Sequence, residues 1–181
     1  GVPMTSLVRV GHHLARAVLE TAQERECDLI ILGWKGYTST ARKILGENVD
    51  NIVKHARTDL MLVKFGETNT FKQILLPTAG GEHAQTAEKY AAAITHAEGG
   101  TLTLCSIVSS RANGKIKEEI EKKHKQALER FAEREHPIDA KSKIISHVSV
   151  VEGITQEAES YDAIIIGAAG HSMYPQVLFG S

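Results

Sequence analysis

The chain has 181 residues, 42% of them hydrophobic, and a formal net charge of -1, room for one domain or two small ones. A charge balance near zero excludes the strongly basic face that non-specific nucleic-acid binding needs, so no nucleic-acid partner is expected. No apolar run reaches the roughly 18 residues of a membrane span, and the first residues show no signal-peptide pattern, so the expected compartment is the cytoplasm. The two cysteines, Cys27 and Cys105, sit in unlike settings and read as reduced packing thiols rather than a disulfide.

The first short apolar run, Leu7 to Val10, reads as a strand. His12 to Glu26 reads as a helix, with Leu14, Val18, Leu19 and Ala22 at helical spacing and Arg16, Glu20, Gln23 and Glu24 facing out. Asp28 to Leu32 is a continuous apolar run, the pattern of a strand buried on both faces of a parallel sheet. A helix over Val49 to His55 and a strand over Asp59 to Val63 follow. The polar stretch GETNT reads as a linker, which sets the division at residues 1–66, 67–70 and 71–181.

Gln73 to Pro77 reads as a strand running into the turn TAGGEH. Ala84 to Ala97 is an alanine-rich helix stopped by Gly99 and Gly100. Thr101 to Val108 reads as a strand. Lys115 to Glu135 is a long charged helix with Ile116, Ile120, Leu128 and Phe131 along one side, broken by Pro137. Lys143 to His147 is a strand, Val151 to Ser160 a helix, and Ala163 to Ile166 a buried strand. Strands alternating with helices predict an α/β fold on a parallel sheet.

The chain repeats itself. Gly33, Gly36 and Gly46, spaced by two and then nine residues, follow the apolar run DLIIL. Gly167, Gly170 and Gly180 reproduce that spacing after DAIII, and Asp28 and Asp162 lie 134 residues apart, as do Gly33 and Gly167. A glycine at the carboxyl end of a parallel strand lets the backbone turn sharply, and a second leaves room for a phosphate. The following helix N-terminus then offers unpaired N–H groups and a positive dipole end. Glycines at such junctions also serve plain backbone needs.

These residues resemble the universal stress protein family in tandem form. The resemblance rests on DLIILGWKG, GENVDNIVKHARTDLMLV, ILLPTAGGEHAQTAEKYA, TLTLCSIV and DAIIIGAAG, and it covers nearly the whole chain. It implies a doubly wound parallel sheet of the adenine-nucleotide alpha-hydrolase-like, universal stress protein type, with strand order 3-2-1-4-5. Residues 1–66 then correspond to the C-terminal part of a first domain. Residues 71–181 correspond to a second domain lacking its last helix and strand.

The family has nucleotide-binding and non-binding forms, so the resemblance makes ATP or AMP the candidate ligand, with no cofactor firmly implied. Carried over, Gly167, Gly170, Gly180 and Ser181 match the phosphate frame, with His171 beside it. Pro77, Thr78 and Ala79 form the turn where binders hold an acidic residue, and here that position is Ala79. In the first copy Gly33, Gly36 and Gly46 match, but Glu47 replaces the hydroxyl residue, with Asn48 next to it as a substitute donor. Trp34, inside that loop, either stacks on a base or packs on a helix.

His12 and His13 lack a cysteine or carboxylate at ligand spacing, so no metal site is expected. No Gly-x-Ser-x-Gly or paired-acid signature points to catalysis. The resulting expectation is a non-catalytic regulatory or stress-response module with a degenerate phosphate loop. Two alternatives stay open: an ATP-binding stress protein, and a cytoplasmic domain fused to an amino-acid permease or cation/proton antiporter, attached to the membrane through that transporter. Because a first segment without its early strands cannot close a core, the resemblance also implies a homodimer or tandem pseudo-dimer through the strand 59–63.

Overall fold

The computed structural model describes residues 3–34, 45–66, 70–80 and 82–167. The chain divides into two compact units, Gly1–Glu67 and Thr68–Ser181. Gly36, Gly170, His171, Gly180 and Ser181 lie outside the described residues.

Unit 1 contains α1 (Leu14–Glu24), β1 (Leu29–Gly33), α2 (Glu47–His55) and β2 (Asp59–Val63). β1 and β2 pair in parallel, from Leu29 opposite Asp59 to Gly33 opposite Val63. Ala15, Ala22, Ile30, Leu45 and Ile52 are buried, while Ile31 on β1 is 61% exposed and Met4, Leu7, Val8 and Val10 are exposed as well. The expected strand over Leu7 to Val10 is not formed. A strand needs a neighbour for its N–H and C=O groups, and among the described residues this run has none. Its Arg9 instead reaches α1, pairing with Glu20 at 3.0 Å and Glu24 at 2.8 Å.

Unit 2 contains β3 (Gln73–Pro77), α3 (Glu82–Glu98), β4 (Thr101–Val108), α4 (Gly114–Ala132), β5 (Asp139–Ser146), α5 (Val150–Ala158) and β6 (Ala163–Ile164). The sheet is parallel, in the order β5-β4-β3-β6. Numbered within the unit this is 3-2-1-4, with β3 in the centre. β5 starts four residues before the expected Lys143. It follows the full length of β4, with Thr101 opposite Asp139 and the Thr101 hydroxyl donating to the Asp139 carboxylate at 2.7 Å. Being an edge strand, its first half is polar and carries no apolar signal.

The two faces of β4 explain the layers. Leu102 and Leu104 join Ile74, Leu76, Ala87, Ala91, Ala92, Ala127 and Phe131 in a buried cluster beneath α3 and α4. Ile107 faces the other way, toward α5, where Gly153 permits the approach: a Cβ there would lie 3.1 Å from Ile107. Gly100 is required more strictly. A Cβ at that position would stand 2.4 Å from the Lys72 carbonyl, so only glycine lets the chain turn from α3 into β4 beside the start of β3. α4 begins on Asn113, whose side-chain oxygen accepts from the Ile116 N–H at 3.1 Å.

Candidate functional site

In open α/β sheets ligands gather at the carboxyl ends of the strands, beside the point where strand order reverses. In unit 2 that point lies between β3 and β6. Pro77 closes β3 and is half-buried, and the Thr78 N–H donates to the Cys105 carbonyl at 2.8 Å. The Thr78 hydroxyl accepts from the Gly80 N–H at 3.1 Å, and Gly80 is left-handed with φ of 81°. This turn carries the chain from strand to helix. Ala79 is exposed, and its methyl group offers no hydrogen-bond acceptor. Gly167 lies just past β6, half-buried.

The frame in unit 1 carries opposite chemistry. Gly33 ends β1, and Gly46 caps α2 in the left-handed region with φ of 101°. Glu47 and Asn48 are exposed on the first turn of α2, and Asp50 follows within the same turn, its side chain accepting from the Leu45 N–H at 3.4 Å. Glu47 and Asp50 both lie in that first turn. Two carboxylates stabilise the helix dipole there but oppose a phosphate. Trp34 is half-buried, with the Lys64 ammonium 5.9 Å from its ring centre.

Periodicity did not single out a second constellation, which packing assembles below the Thr78 turn. A cavity of about 130 Å³ opens between α3 and α4, lined among others by Thr78, Glu88, Ser106, Lys123, His124 and Arg130. His124 is buried at 4% exposure and Glu88 at 8%. Ser106 Oγ lies 2.9 Å from His124 Nε2 and 2.5 Å from the Thr78 carbonyl. Arg130 donates to Glu88 Oε2 at 2.6 Å, and Lys123 pairs with Glu119 at 2.8 Å. Burial pushes the His124 pKa below the ordinary histidine value, and the nearby Glu88 carboxylate opposes that shift. A signal was present in the sequence. His124 falls four residues after Ile120, Glu88 four before Ala92, and Ser106 two after Leu104, each a polar residue at an apolar position.

On the other face, Cys105 is buried, and its thiol is pushed up to about 11 by burial and by the Glu157 carboxylate. Lys143 binds that carboxylate through both oxygens, at 2.8 and 2.7 Å.

The fold and glycine turns define a tandem α/β module of the nucleotide-fold class. The family model described as Universal stress protein family matches residues 1–64 and again residues 70–181. The chain belongs to the universal stress protein family. Among curated proteins it is similar to the Na(+)/H(+) antiporter NhaS5 of Synechocystis sp. (strain ATCC 27184 / PCC 6803 / Kazusa), 24% identical over 168 residues. That match takes in 88% of this chain and 23% of the antiporter, so the chain spans about a quarter of that relative. Among solved structures, a universal stress protein from Archaeoglobus fulgidus DSM 4304 aligns with a TM-score of 0.64 at 16% identity. It covers 88% of this chain and 57% of the other. A second universal stress protein structure from Archaeoglobus fulgidus aligns at 0.51 and 17% identity, covering 61% of this chain and 86% of the other. No helix among the described residues is long and apolar enough to cross a membrane.

Proposed function

We propose that the chain is a non-catalytic regulatory module of the universal stress protein class, acting on a cation/proton transporter to which it is joined. One observation carries this reading: nearly the whole chain, both copies together, aligns inside a Na(+)/H(+) antiporter. A tandem pair held next to a transporter acts at high effective concentration, so weak contacts suffice. β2, half-buried throughout and apolar after Asp59, offers an edge for pairing with a second copy of this chain. Reading the coding sequence upstream of residue 1 tests the link. A series of apolar spans supports it, and a third soluble domain in that place overturns it. Sodium/proton exchange in inverted vesicles, with and without residues 1–181, then measures the regulation; equal rates would refute it.

The second reading, an ATP or AMP binder, is favoured by Gly167 at the switch point and by the glycines and Ser181 that continue the frame. The described residues do not suit the nucleotide. The Ala79 side chain supplies no acceptor for a ribose, and Glu47 puts a carboxylate where the glycine frame of the first copy would carry a hydroxyl residue. One lost hydrogen bond to a bound group costs about 1–3 kcal/mol, roughly tenfold to a hundredfold in affinity. Titration calorimetry with ATP and AMP, with and without magnesium, is expected to give no saturable heat. Micromolar binding, or nucleotide carried through purification, would put the ATP-binding reading first.

A further inference from the structure

The polar cavity between α3 and α4 borders the Thr78–Ala79 turn of the second reading, but its Glu88, Ser106 and His124 are used by neither reading. Its hydrogen bonds specify where its protons are. The Thr78 carbonyl only accepts, and it stands 2.5 Å from Ser106 Oγ, so the serine hydrogen points there. Ser106 Oγ is then the acceptor for the imidazole, and His124 Nε2 carries the hydrogen across the 2.9 Å contact. That leaves the lone pair on Nδ1. Nδ1 is buried and has no hydrogen-bond partner among the described residues, although His124 lines the cavity together with the Glu88 carboxylate. A buried acceptor without a donor is costly, so such an atom in a polar cavity points to something that fills the role.

We propose that His124 Nδ1 is a proton-binding site, with Glu88 as the counter-charge that accepts the new N–H. Among the described residues, the charged groups that line the cavity are Glu88 from α3 and Lys123 and Arg130 from α4 itself; the turn after β3 presents Thr78, Ala79 and Gly80, and β4 presents Leu104 and Ser106. Lys123 is held by Glu119, and Arg130 by Glu88. A proton entering from solvent through the cavity adds to Nδ1 and breaks no covalent bond. It draws the Glu88 carboxylate from Arg130 to the imidazolium. The Arg130 side chain is half exposed already, 51%, and is released to water, while Glu88 is 10% exposed and stays inside. The ion pair that ties α3 to α4 is thereby exchanged for one inside the cavity. A change of proton concentration becomes a change at the helical face of unit 2. The inference goes beyond the regulatory reading and holds whether or not a transporter is attached.

The sign follows from burial. Folding lowers the His124 pKa, so the folded state binds fewer protons than the unfolded chain between the two values. Stability is therefore full above the ordinary histidine pKa and falls as pH drops through the folded value, by up to tenfold in the folding equilibrium per pH unit.

The test is a histidine-selective nuclear magnetic resonance titration of the whole chain between about pH 4.5 and 8. At high pH His124 is expected as the Nε2–H tautomer, titrating below the ordinary histidine value. Glu88→Gln, which removes the counter-charge, is expected to lower the midpoint further, by about 0.5 pH unit or threefold in proton affinity, and Arg130→Gln to raise it. An Nδ1–H tautomer, or a midpoint indifferent to both substitutions, would overturn the proposal. If Glu88→Gln does not fold, the wild-type tautomer and the Arg130→Gln shift decide by the same criteria. If acid unfolding comes first, its midpoint should move down in His124→Gln; an unchanged midpoint refutes the site.

Discussion

Asp162 is expected to hold the end of the unit 2 sheet in place. Its Oδ2 accepts from the Lys72 and Gln73 N–H groups, both at 2.9 Å, and its own N–H donates to the Gln73 carbonyl at 2.9 Å. The strand that follows, β6, has only two residues and meets β3 at Ile74 and Leu75. So short a strand contributes few ladder bonds, and the carboxylate supplies two charged ones where the strand begins. A hydrogen bond to a charged acceptor contributes about 1.5–3 kcal/mol when sheltered. Lys72 and Gln73 are exposed, so their freed N–H groups would bind water, and the loss for Asp162→Ala is set lower, at about 2 kcal/mol for the pair. For a unit of this size that lowers Tm by about 8 °C. Asp162→Asn keeps one carbonyl oxygen and should lose about half as much. Calorimetry on the whole chain measures the first quantity. Amide exchange at Ile165, whose N–H donates to the Leu75 carbonyl, measures local release of β6. An Asp162→Ala chain that melts within about 2 °C of wild type and protects Ile165 equally would refute the reasoning.

Two further outcomes follow from packing. Phe131, 2% exposed in the cluster beneath α3 and α4, should cost about 3–5 kcal/mol when cut to alanine, read as a lower urea midpoint at unchanged slope; a loss under about 1 kcal/mol would mean the site collapses freely. The reactive form of a thiol is the thiolate. With Cys105 buried and its pKa near 11, a disulfide reagent at about pH 8 should modify one thiol per native chain, the exposed Cys27, and the second only in denaturant; equal rates for both would contradict the burial.

Much of the architecture was legible locally. The 3-2-1-4 order came with the family resemblance, but the strands Asp59–Val63, Gln73–Pro77 and Thr101–Val108 occupy the residues that apolar runs and turn signals mark out. These features are written along the chain because a strand or helix buries its own side chains at its own period. The Ala79 and Glu47 departures from the glycine frame were also readable, since they concern residue type at a position.

Pairing was not readable in that way. Leu7 to Val10 has a strand's composition but no neighbour among the described residues, whereas polar Asp139 to Ser142 becomes a strand because β4 lies beside it. The cavity depends on tertiary contact even more completely. Glu88, Ser106 and His124 each interrupt a separate apolar pattern, on α3, β4 and α4, and along the chain each is a lone exception. Only when the two helices close over one face of the sheet do these three groups and Arg130 come together, 18 residues apart in the Ser106–His124 pair and 42 in the Glu88–Arg130 pair. Periodicity records whether a side chain is buried; the identity of the atoms it is buried against is decided by the packing of elements distant in sequence.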